Sequence, residues 1–227
     1  MPSANFLPLF QAAVRNVRAL KHGISIFRQD LNRRLCRDSV SELHLYTKIY
    51  ATLFSVWAEA ALAKMIFVPY GFTDIEIEQV QRAGSNEDRW RACLKIGFAK
   101  SDKGGEKSLQ QTLGPKLDRL ISNYIVTPAN LRNKIAHGQW AEAFNNKGTT
   151  LNPDTTTLLR LVDIVEVDRW FFVFGELSKI VLDAVESPER ALRRDAWRRL
   201  TSIEEEMERR KGWTVESKRE CLRRHKR

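Results

Sequence analysis

The chain has 227 residues, enough for one hydrophobic core with short extensions and too few for a second enzyme domain. With 43% hydrophobic and 29% charged residues, its composition is that of a globular protein and excludes a disordered chain. The net charge of +10 is uneven: from Arg190 onward 14 Lys and Arg face 7 Asp and Glu, and the first 189 residues carry only +3. That asymmetry points to a polyanion partner, with a solvated helical face as the plainer alternative. Cys36, Cys93 and Cys221 are isolated and odd in number, which reads as reduced thiols and excludes a disulfide framework or a zinc site. The N-terminus lacks a cationic leader followed by an apolar run, so a cytoplasmic protein is expected.

In chain order, Phe6 to Leu35 mixes apolar and basic residues at helical spacing, and Gly23 offers a point at which the helix divides. Ser39, Val40, Ser41 and Glu42 have the form of a capping box that opens an apolar helix running through Tyr50, Phe54, Trp57 and Phe67. Glu59 and Lys64 interrupt its apolar stretch, which marks a core helix and not a membrane span. Thr73 to Glu76 caps a short helix, and Ser85 to Asp88 opens another. The stretch Ser101 to Lys107 reads as a loop. It lacks the spacing and the hydroxyl residue of a phosphate-binding loop.

Leu109 to Ile125 resumes helical spacing and leads to a helix that Thr127 caps, Pro128 starts and Gly138 stops. Beyond it, turn residues at 144–148 and 151–154 make a loop or short hairpin that separates this helix from the next, and Thr150 with Thr155 to Thr157 allows a strand there. Leu158 to Val185 then reads as one long apolar helix. Glu186, Ser187 and Pro188 mark a boundary, followed by charged helices over 190–210 and 214–227.

Polar chemistry gathers in the helix over 131–140. At about 100° per residue, Arg132, Ala136, Asn133 and His137 fall on one face within about 140°, opposite Leu131 and Ile135. His137 lies in the last turn, where the partial negative charge of the helix end favours a cation. A permanent guanidinium beside an imidazole, with an amide between them, suits a phosphodiester: the first grips phosphate oxygens, the second moves a proton. Arg15 with His22, Arg37 with His44 and Arg219 with His225 repeat the loose spacing, and Arg15-Asn16 with His22-Gly23 also repeats the flanking residues.

The full string Leu131-Arg132-Asn133-Lys134-Ile135-Ala136-His137-Gly138 resembles the signature of HEPN-domain ribonucleases. The resemblance covers roughly Ser39 to Ser187. It implies an all-α, up-and-down helical bundle, here with a basic N-terminal segment (1–38), the HEPN-like domain (39–187) and a charged C-terminal helical extension (188–227). It further implies a metal-independent endoribonuclease without cofactors, acting on RNA at a site shared by two subunits of a homodimer. Arg132, His137 and Asn133 are then the catalytic residues, and Glu59 is the acidic residue that pairs with the motif arginine. Lys134, Arg193, Arg194, Arg198 and Arg199 are candidate RNA contacts. A toxin or antiphage defence role, with a regulatory or antitoxin protein as partner and no membrane, follows by family analogy. The alternatives are a non-catalytic HEPN module that binds RNA, a nucleotide or a partner, and a structural helical adaptor.

Overall fold

The computed structural model describes residues 6–37, 40–102 and 108–224. It is an all-α bundle of α1 (Leu7–Leu35), α2 (Val40–Ile66), α3 (Asp74–Gln81), α4 (Asn86–Ser101), α5 (Leu109–Ile121), α6 (Thr127–Ala136), α7 (Pro153–Leu161), α8 (Ile164–Glu186), α9 (Arg193–Arg209) and α10 (Val215–Arg224). Among the described residues, the sole strand-like feature is a single bridge between Phe144 and Leu151.

Two long helices form the centre. α2 is long and apolar enough to span a bilayer by length and composition, and it packs against α1, α6 and α8. Tyr50 stacks on Phe171 of α8 at 5.0 Å, and Trp57 meets Phe174 at 4.5 Å. Such aromatic pairs add about 0.5–1.5 kcal/mol each beyond the area they bury. α4 closes the other side of α8 through Gly97, where a Cβ would lie 2.5 Å from that of Ala184. Any side chain there pushes the two helices apart.

Four local expectations differ from the structure. Gly23 does not divide α1: Val17, Ile24 and Leu31 keep a buried stripe running past it, and that packing outweighs the roughly 1 kcal/mol a helical glycine costs. Thr155 to Thr157 form no strand, because Asn152 accepts from the Thr155 N–H at 3.0 Å and Pro153 occupies the first turn of α7. The long helix expected from Leu158 is two helices. Val162 is extended, and Asp163 caps α8 by accepting from the Glu166 N–H at 2.8 Å.

The fourth concerns the motif helix. Thr127 is not its cap, since the backbone stays helical from Leu109 to Ala136 and widens to a π-turn over Ser122–Val126. The Thr127 N–H reaches back to the Ser122 carbonyl, and its hydroxyl donates to the same oxygen at 3.1 Å. Widening accommodates Pro128, which has no N–H to give to the preceding turn.

The capping boxes at Thr73 and Ser85 form as expected. The Ser39 cap and most of the 101–107 loop lie outside the described residues. Pro188 turns the chain without ending the core: Leu192, Ala196 and Leu200 join the same apolar cluster as α2 and α8. α10 is tied down by polar contacts, with Lys218 pairing with Asp168 and Arg219 donating to the Leu35 carbonyl at 2.7 Å.

Candidate functional site

α6 reaches the site with Leu131 and Ile135 buried against the core and its polar face turned outward, as the periodicity predicts. Arg132 is half-buried, while Asn133, Ala136 and His137 are exposed. The helix ends in two backbone bonds, from the Gly138 N–H to the Ile135 carbonyl at 3.1 Å and from the Gln139 N–H to the Lys134 carbonyl at 2.9 Å. Gly138 takes φ +78° there, a left-handed conformation that disfavours a side chain. This stop leaves His137 at the rim.

Glu59, on α2, forms an ion pair with Arg132 through one terminal guanidinium nitrogen. The two residues are 73 positions apart in the chain. Arg132 Nε is buried with no hydrogen-bond partner, so the inner edge of the guanidinium keeps an unspent donor. The pair borders a cavity of about 190 Å³ whose wall includes Ser55, Asn86, Glu87, Asn130 and Asn133. His137 borders a second, larger one of about 860 Å³, open to solvent and lined by α6 from Asn130 onward, the segment 139–152 and Thr155 of α7. Asn130 and Asn133 line both cavities. Five residues along a helix give a rise of about 7.5 Å between Arg132 and His137.

The segment after the motif is held in part by a group that sequence reasoning did not single out, Lys48. Lys48 is buried on α2 and donates to the Trp140 carbonyl. Burial holds its ammonium below the usual lysine range. His44, one turn earlier, is also pushed down, first by burial and then by the Lys48 charge. Lys134 donates to the Phe144 carbonyl at 2.6 Å, and the Phe144 N–H donates to the Gln139 side chain at 2.8 Å. A lysine within an apolar helical run was the available signal for Lys48.

The proposed basic contacts of α9 divide. Arg199 is drawn in by Asp183 at 3.1 Å and Glu176 at 3.7 Å, and Arg193 donates to the Ser101 carbonyl at 3.1 Å. Arg194 and Arg198 share Asp195 but keep 75% and 74% of their side chains exposed. None of the four lines the cavities at Arg132 and His137. His22, on the competing sequence match, is exposed on α1. Among the described residues, no group of three His, Cys, Asp or Glu side chains is placed to hold a metal ion.

Comparison with protein-family models, with curated proteins and with solved structures found no match to this chain.

Proposed function

We propose that the chain is a metal-independent endoribonuclease of the HEPN type, cytoplasmic, acting on RNA as a homodimer, in a toxin or antiphage defence role under a regulatory or antitoxin partner. One observation carries this reading: Glu59 and Arg132 pair at the edge of a cavity, with His137 exposed on the same helix and Asn133 between them. A carboxylate that grips one side of a guanidinium fixes the plane of the other side, and a fixed donor stabilises charge without reorganising at the moment of reaction. Arg132 meets the charge that builds on the phosphate. His137 takes the proton of the ribose 2′-hydroxyl or gives one to the departing oxygen, and Asn133 orients one of these groups. The products are a 2′,3′-cyclic phosphate and a 5′-hydroxyl, so DNA is spared.

The test is incubation of the purified protein with mixed RNAs in excess EDTA, alongside His137→Ala and His22→Ala. Cleavage is expected from wild type and from His22→Ala, and none from His137→Ala. Binding without cleavage by wild type would make the chain a non-catalytic RNA-binding module. Loss of activity in folded His22→Ala alone would move the site to α1.

A further inference from the structure

The larger cavity beside His137 has an unusual balance of donors and acceptors. Its volume of about 860 Å³ falls within the range of small-ligand sites, about 300–1,000 Å³. No Asp or Glu lines it, whereas Glu59 and Glu87 line the smaller cavity, and Asp88 and Asp118 line the groove between α4 and α5.

Two of its side-chain amides add to the excess of donors. A backbone N–H only donates, so the Gln139 side-chain oxygen must face the Phe144 N–H and the Asn152 oxygen must face the Thr155 N–H. Each carboxamide is left with its NH₂ group. Lys134 spends one of its three protons on the Phe144 carbonyl and keeps two. Lys147, exposed on the turn, borders the same space and has no ion-pair partner among the described residues.

Two ammonium groups and two amide NH₂ groups with no carboxylate between them match an oxyanion. We propose that this cavity binds the phosphate of a second nucleotide, next along a single-stranded RNA to the one whose phosphodiester meets Arg132 and His137. The inference rests on the ribonuclease reading and extends it to the substrate. Because Asn130 and Asn133 line both cavities, a strand with one phosphate at Arg132 reaches the second along α6. A recess between a helix end and a turn admits one flexible strand, whereas a duplex holds its phosphates in a rigid array.

The experiment measures binding of a fluorescent, fully 2′-O-methylated single-stranded RNA across a salt series, since blocking the 2′-hydroxyl separates binding from cleavage. Lys147→Gln removes one charge from an exposed turn. Asn152→Asp keeps the cap on α7, because Asp and Asn cap equally well, and replaces the NH₂ donor with an acceptor. Each is expected to weaken binding roughly tenfold at low salt. Lys147→Gln should also reduce the slope of log K against log salt by about 0.7, and Lys211→Gln, outside the cavity, should leave affinity near wild type. If either cavity variant binds as tightly as wild type while wild type still cleaves RNA, the subsite is wrong and the ribonuclease reading stands. If wild type neither binds nor cleaves RNA, both fall.

Discussion

Glu59 and Arg132 form an ion pair across the interface between α2 and α6, so that the motif arginine is aimed by a helix that enters the core much earlier in the chain. The two side chains are 36% and 27% exposed, which places the pair between a surface salt bridge and a buried one. Its contribution to stability is therefore modest, about 1 kcal/mol or less. On the ribonuclease reading, its larger effect is on the orientation of Arg132.

Replacing the carboxylate separates these two effects. Glu59→Gln keeps shape and removes charge, so the midpoint of chemical denaturation should move little. RNA cleavage should fall roughly a hundredfold, because a guanidinium displaced by about 1 Å loses that much. Unchanged turnover would show that Glu59 does not position Arg132.

A shared site predicts complementation between subunits. Arg132→Ala mixed with His137→Ala, after subunit exchange, makes about half of the dimers heterodimers under random reassociation. In these, one Arg132 and one His137 survive on opposite chains. Partial recovery of activity over either single variant is expected. Activity from a strictly monomeric protein in sedimentation would rule out the shared site.

The C-terminal helices call for point changes and not truncation. Removing everything from Arg190 would take Leu192, Ala196 and Leu200 out of the core, and Leu200→Ala alone should cost about 2–5 kcal/mol of unfolding free energy. Arg194→Gln with Arg198→Gln leaves those apolar side chains in place and removes two exposed charges, the Gln amides staying as neutral partners for the buried Asp195. If they touch RNA, the salt slope should shrink by up to about 1.4. An unchanged slope would identify this face of α9 as merely solvated.

Alkaline pH should weaken the fold through Tyr50. Its hydroxyl donates to the Asp168 carboxylate at 3.1 Å, beside Arg28 and Lys218. Burial, then the Asp168 charge, raise the phenol well above its ordinary value of 10.0. A raised folded value means that this stability is fully present below about pH 10 and is lost as pH rises further, because the unfolded chain ionises first. Burial lowers the Lys218 ammonium, an effect of opposite sign, so the informative quantity is a difference between proteins. Between pH 10 and 11, wild type should lose about 1 kcal/mol more than Tyr50→Phe in denaturant melts. Equal losses would show that Tyr50 ionises freely in the folded state.

By itself, the sequence determined the helical class, the capping boxes at Thr73 and Ser85 and the two faces of α6, because these depend on spacing and on groups within a few residues of each other. The 3.6-residue period put Leu131 and Ile135 inside and Asn133 and His137 outside before any neighbour was known. Tertiary structure decided what local signals misjudged. The continuity of α1 past Gly23 rests on burial against α2, and the π-turn ahead of Pro128 is a backbone rearrangement with no residue code of its own. It also decided which basic residues remain available. Lys218, Arg219 and Arg199 look like solvated tail charges in the chain but are spent on Asp168, the Leu35 carbonyl and Asp183. Charge is written in the sequence, whereas the partner that neutralises it is set by which helices pack together.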